Sequence, residues 1–133
     1  MLDYPQVAMD FMNRDHAEFI ALRARLLGLL SIPAAENDLD SLFRELFEHT
    51  KHHFAEEERL MQETHFPPYR MHKMEHDRVL ADMELHFNGW LEGRDKTALQ
   101  NWIQNDVDSW FVNHVSTMDF VTAGFIATKQ KAG

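Results

Sequence analysis

Cysteine is absent from this chain of 133 residues. That excludes disulfides, thiolate zinc sites and iron–sulfur clusters, and it fits a reducing compartment. Basic charge is scarce as well: 13 Lys and Arg stand against 22 Asp and Glu, a formal net charge of -9. Such a surface repels phosphates, which argues against nucleic acid or an anionic membrane as a partner. No run is long and apolar enough to span a bilayer. Met1 to Arg14 has neither a basic region ahead of an apolar run nor a small-residue cleavage site. The expected location is the cytoplasm. β-Alternation, internal repeats and low-complexity linkers are also missing. What is present is a 44% hydrophobic chain, ordinary for a soluble protein and sized for one domain, residues 1–133, around one core.

Four amphipathic segments separated by short breaks predict an all-α, antiparallel up-down-up-down four-helix bundle with a short N-terminal arm and a C-terminal extension. The first helix runs from about Asn13 to Leu30, with Phe19, Ile20, Leu27 and Leu30 at helical spacing near His16, and Ser31-Ile32-Pro33 closes it. The second opens at Asn37 or Asp38 as N-cap and runs to about Thr64. Pro67-Pro68 forces a break and pre-sets a third helix that continues to about Leu91 and ends at Gly93. Asp95 or Thr97 caps the fourth, which carries Leu99, Trp102, Ile103, Val107 and Trp110 on one face. The apolar tail Phe120 to Ile126 either extends that helix or folds over the bundle end. Trp102, Phe120 and Phe125 are candidates for a subunit interface or for a cap, and the oligomeric state is open.

The chemistry lies in His16, His53, Glu57, His72, His76, His114 and Asp119, distributed over all four segments. Neutral imidazole and carboxylate hold iron, zinc or manganese. Five histidines with two acids exceed one ion's needs and suit two ions sharing bridging carboxylates. Helical register separates these residues from decoys. His53 and Glu57, four apart, lie about 40° and roughly 6 Å from each other on the stripe of Leu39, Leu46 and Leu60. His52 falls on a polar stripe with Glu45, Glu48, Glu56 and Arg59. On the third segment His72, His76, Val79, Met83, Phe87 and Trp90 form one inward stripe, and on the fourth Ile103, Val107, Trp110 and His114 do. Asp119 is the awkward member. Five residues beyond His114, it is rotated about 140° on an ideal α-helix, so the helix distorts there, through a π-type turn, or frays.

A lone inward histidine is usually a core residue satisfied by one hydrogen bond, and His49, His52, His65 and His86 read as surface or packing residues. Two inward four-residue pairs are harder to dismiss. Glu57 on a core stripe also needs a partner, because an uncompensated buried carboxylate costs several kcal/mol. Arg23 lies near the first stripe but no cation faces Glu57 clearly. A metal is the better partner.

His53-Phe54-Ala55-Glu56-Glu57, Pro68-Tyr69 ahead of His72-Lys73-Met74-Glu75-His76, and Trp110-Phe111-Val112-Asn113-His114 with Asp119 resemble the hemerythrin family. The His-Phe-x-x-Glu-Glu, His-x-x-Glu-His and His-x4-Asp patterns stand in the family's order, and with His16 the resemblance spans nearly the whole chain. It departs in Met9 to His16, where bacterial members often carry Ile-Asp shortly before the histidine and an N-terminal Trp. The resemblance implies a non-haem pair of Fe2+/Fe3+ ions. His72, His76 and His114 would complete one iron and His16 and His53 hold the other. Glu57, Asp119 and a solvent-derived oxo or hydroxo group would bridge them. One open position would bind O2 reversibly, in a dry pocket for which Phe19, Phe54, Trp110, Phe111 and Val115 are candidates and, equally, core residues. Glu56 and Glu75 are tempting supports for ligand histidines but better placed to solvate outer faces.

The expected function is reversible O2 binding for storage, delivery or buffering, without enzymatic turnover, and with a protein partner as a conceivable recipient of the gas. The runner-up is a di-iron enzyme or sensor of oxidative or nitrosative stress, meeting peroxide or nitric oxide. A ferritin-like oxidase fits less well, since that class uses Glu-x-x-His pairs and no histidine here has Glu three residues before it.

Overall fold

A computed structural model describes residues 2–132. Three helices, α1 (Asp10–Leu30), α2 (Glu36–Glu63) and α3 (Tyr69–Gly93), precede a fourth rod that changes winding twice. This rod comprises α4 (Lys96–Asn101), a π-helical segment Trp102–Val107, α5 (Asp108–His114), a second π segment Val115–Asp119, and α6 (Phe120–Ala132). Helical dihedrals persist through every junction of the rod. Among the described residues there is no strand, and no helix is long and apolar enough to cross a membrane.

Cross-helix bonds give each neighbour's direction. Asp15 and Glu18 of α1 meet His53 and His49 of α2, so the pair runs antiparallel. Asp40 and Glu58 of α2 meet Arg94, just beyond α3, and His76 of α3. Glu75 and Asp82 of α3 meet Trp110 and Trp102 of the fourth rod, which also meets α1 through Arg23–Asp108 and His16–Asp119. All these pairs descend in one partner as they rise in the other. The bundle is up-down-up-down, as expected.

Element boundaries correct the sequence reading in places. α1 starts at Asp10, and its buried stripe is Met12, His16, Phe19, Leu22, Leu26 and Leu30; Ile20 and Leu27 flank it half-buried. α2 starts at Glu36 behind Ala35, without a side-chain cap, so Asn37 and Asp38 lie inside the first turn. Asp95, not Thr97, caps α4, accepting from the Ala98 N–H at 3.1 Å. α3 ends at Gly93, as expected, and Arg94 caps it in the left-handed region at φ 53°. A left-handed non-glycine residue is unfavourable alone, but Arg94 is held by Asp40 at 2.6 Å and lies over the Trp90 ring. The tail extends the fourth rod as α6.

Apolar packing fills both ends of the bundle. The larger cluster includes Leu30, Leu39, Phe43, Phe87, Trp90, Leu99 and Trp102 and reaches Phe19, Phe54, Phe111 and Val115. A smaller cluster of Leu60, Met61, Phe66 and Ile126 closes the other end. Trp102 is buried in the chain's own core, Phe125 packs on Phe66, and Phe120 alone of the three interface candidates is exposed. Between the clusters lies the buried polar group.

Candidate metal centre

His16 of α1, His53 and Glu57 of α2, His72 and His76 of α3, and His114 and Asp119 of the fourth rod are all buried, and the structure brings all seven side chains together. Their donor atoms form two overlapping sets, each within 4.8 Å: Glu57, His72, His76, His114 and Asp119, and His16, His53, Glu57 and Asp119. The two carboxylates belong to both. Glu57 turns Oε1 toward His76 Nε2 at 3.1 Å and Oε2 toward His53 Nε2 at 2.8 Å. Asp119 turns Oδ1 toward His114 and His72 Nε2 at 3.0 and 3.2 Å, and Oδ2 toward His16 Nε2 at 2.9 Å. Glu57 Oε1 and Asp119 Oδ1 between them thus face His72, His76 and His114, while Oε2 faces His53 and Oδ2 faces His16.

Asp119 reaches this position because Val115–Asp119 is wound as a π-helix. A wider turn of about 4.4 residues brings the fifth residue back under the first, which an α-helix does with the fourth. The π-type distortion is thus what the spacing required.

These side chains are poorly satisfied by one another. Nε2 of His53, His72, His76 and His114, both Glu57 oxygens and Asp119 Oδ1 are buried with no hydrogen-bond partner. Their spacings to opposite atoms are those of ion pairs, but the angles are not those of hydrogen bonds. Orphaned buried polar atoms cost about 1–3 kcal/mol each, and here they converge on two points. Arg23 offers no relief, being committed to Asp108 through two bonds of 2.5 and 2.7 Å. Cations of the transition series would satisfy every orphan in this nitrogen and oxygen set. The donor set fits a pair of them.

Three rings are oriented from behind. Nδ1 of His53 meets Asp15 Oδ2 at 2.9 Å, Nδ1 of His76 meets Glu58 Oε2 at 2.9 Å, and Nδ1 of His72 meets Thr122 Oγ1 at 2.8 Å. A neutral ring that donates from Nδ1 keeps its lone pair at Nε2, facing the centre. Sequence reasoning missed all three partners. Glu58 was visible as the last residue of the His-Phe-x-x-Glu-Glu pattern, and Asp15 as the neighbour of His16. Thr122 gave no signal. Glu56 pairs with Arg59 at the surface, as expected, while Glu75 accepts from Trp110 Nε1 at 3.2 Å and so holds a pocket wall.

Without metal the group is internally charged. Burial would lower the His53 pKa, but the Glu57 charge and the Asp15 bond raise it to about 10. Burial and the Asp119 charge push Glu57 up, and the facing His53 and His76 outweigh them, leaving it at about 2. Asp119 lies well below the usual carboxylate range because His114, His16 and His72 outweigh its burial.

Phe19, Phe54, Trp110, Phe111 and Val115 line a cavity of ≈ 20 Å³ that ends on His16, His53, His114 and Asp119. Phe54 stacks on His76 at 3.8 Å and Trp110 on His114 at 4.8 Å, while Tyr4 of the N-terminal arm sets its ring edge against His16 and Phe111. A larger cleft of ≈ 390 Å³ beside Trp102 shares Phe19 and Trp110 but touches none of the seven donors. Of the remaining histidines, His52 and His65 are exposed, His86 stacks on Trp102, and His49 meets Glu18 at 2.9 Å.

Comparison with known proteins agrees with this geometry. A bacteriohemerythrin of Aquifex aeolicus (strain VF5) is 31% identical over 113 residues, covering 85% of this chain and 86% of that protein. A bacteriohemerythrin of Ralstonia nicotianae is 33% identical over 117 residues, covering 88% and 80%. A hemerythrin of Themiste dyscrita is 34% identical over 99 residues, covering 74% of each. No solved structure matches the chain at comparable significance. The family model described as the hemerythrin HHE cation binding domain matches residues 7–126. The chain belongs to the hemerythrin family.

Proposed function

We propose that this protein binds O2 reversibly at a non-haem di-iron centre, for storage, delivery or buffering. The observation that carries the reading is the division of both carboxylates, Glu57 and Asp119, between two nests of imidazoles. His72, His76 and His114 would hold one iron and His16 and His53 the other, with an oxo or hydroxo group completing the bridge. An iron pair held there would supply the redox chemistry that reversible O2 binding needs.

The chain's own residues keep that exchange reversible. Phe19, Phe54, Trp110, Phe111 and Val115 leave the ≈ 20 Å³ cavity beside the pair little more than the volume of a small molecule and exclude bulk water. Asp15, Thr50 and one nitrogen of His49 in the cavity wall are already engaged. Asp15 is bound to His53, His49 to Glu18, and the Thr50 hydroxyl donates to the Leu46 carbonyl at 2.8 Å. Asp15, the carboxyl at the outer wall of the cavity, is committed to His53 and is not free to protonate a bound ligand, which favours binding over turnover. The site set of seven donors, a single domain over residues 1–133, a cytoplasmic setting and a protein that takes up the gas belong to the same reading.

Metal-free protein loaded anaerobically with ferrous salt should take up two equivalents per chain. Air should then produce a visible charge-transfer band that disappears when O2 is removed. Rapid irreversible conversion to a ferric form would contradict this reading. The alternative, consumption of peroxide or nitric oxide, predicts steady-state turnover by the loaded protein, and its absence separates the two.

A further inference from the structure

Outside the seven donors, a second group of metal-ligating side chains lies on the α1–α2 seam. Asp15 and Glu18 of α1 and His49 of α2 each present a donor atom within 4.8 Å of the others. Unlike the inner sets they are open to solvent: the His49, Asp15 and Glu18 side chains are 19%, 20% and 50% exposed. Asp15 and His49 also line the cavity that runs inward to His16, His53 and Asp119. His53, over nine-tenths buried, lines the same cavity, and its Nε2 has no hydrogen-bond partner. Its Nδ1 is bonded to Asp15. One carboxylate thus touches both the outer group and an inner ring. The His49 imidazole has one nitrogen against Glu18 and its other, Nδ1, buried without a partner.

We propose that Asp15, Glu18 and His49 form a weak entry site for a divalent transition-metal ion, capturing it at the surface and passing it inward to His16 and His53. The proposal rests on the dinuclear reading above and adds a third, exchangeable position to it. Two carboxylates and one imidazole, completed by water, suit the same class of ion as the inner centre but bind it less tightly. Their charge concentrates dications at the cavity mouth. A dication that sheds its water at the mouth needs polar partners throughout its approach, because a bare charge is costly against apolar walls. The remaining cavity walls are largely aromatic, so the Asp15–His53 side is the polar path.

The test uses cobalt(II) and the full metal-free chain, with calorimetry counting bound equivalents and stopped-flow visible absorbance following their entry. Unaltered protein should bind two equivalents tightly and a third weakly. The double variant Glu18→Gln/His49→Gln should lose the third and fill the inner pair about tenfold more slowly, the low end of what local charge does to association rates. Its two tight equivalents would themselves report an intact bundle. Retention of the weak equivalent, an unchanged loading rate, or loss of a tight equivalent in the variant would each overturn the entry site. Fewer than two tight equivalents in the unaltered chain would remove the dinuclear reading, and this proposal with it.

Discussion

His53, His76 and His72 are held at Nδ1 by three different acceptors, the carboxylates of Asp15 and Glu58 and the hydroxyl of Thr122. A carboxylate behind an imidazole raises its basicity more than a hydroxyl does, and removal of such a partner typically costs 10–100-fold in metal affinity. Glu58→Gln should therefore weaken metal binding by about tenfold or more, with two equivalents still reached at saturation, as chelator competition would measure. The unloaded centre also has a pH signature. Glu57, depressed to about 2 from its usual 4.5, contributes stability that is complete above pH 4.5 and lost as the pH falls toward 2. His53, raised to about 10 from 6.5, contributes stability that is complete below pH 6.5 and lost as the pH rises through 10. Metal-free protein should thus have its highest urea midpoint between about pH 4.5 and 6.5 and decline on both sides. A midpoint still rising above pH 7 would contradict the assignment of charges.

The fourth rod places His114 and Asp119 on one face only because residues Val115–Asp119 are wound as a π-helix. Such a segment acts as an α-helix with one residue inserted, so the flanking turns keep their faces. Deleting Thr117, whose hydroxyl bonds only back to Asn113 O on the exposed side, should restore plain α-winding with Asp119 still inward and metal stoichiometry retained. Inserting one alanine after Thr117 should instead rotate Asp119, Thr122 and all of α6 by about 100°. Metal analysis of the two variants should give about two equivalents and fewer than one, respectively. Helical content by circular dichroism would show that both remain folded. In the sequence this device appeared only as an odd spacing of five. The other π segment, Trp102–Val107, left no trace there, because no ligand pair straddles it.

Across the bundle, the polar centre separates the large apolar cluster from the small one of Leu60, Met61, Phe66 and Ile126. Met9 and Phe11 pack against both clusters, and what the donors hold adds a second tie between the two ends. Metal removal should speed amide exchange in α6 and the end of α2 far more than in residues 79–90 of α3, which lie against the large cluster. Uniform acceleration across both regions would show that the ends are not separately held. Much of the molecule was legible beforehand, namely four helices, their order and the seven buried side chains that the bundle brings together. Helical period is a local property: whether His53, Glu57, His72 or His76 faces inward is decided within one or two turns of its own helix. The left-handed cap at Arg94 and the supports Asp15, Glu58 and Thr122 depended on contacts between residues 18 to 54 positions apart, while the sharing of Glu57 and Asp119 between two sets of rings came from the family resemblance and not from helical period. A sequence determines which face each side chain takes; only the packed bundle decides which atoms on facing helices come within 3 Å, since that distance depends on how the rods dock and not on any one of them.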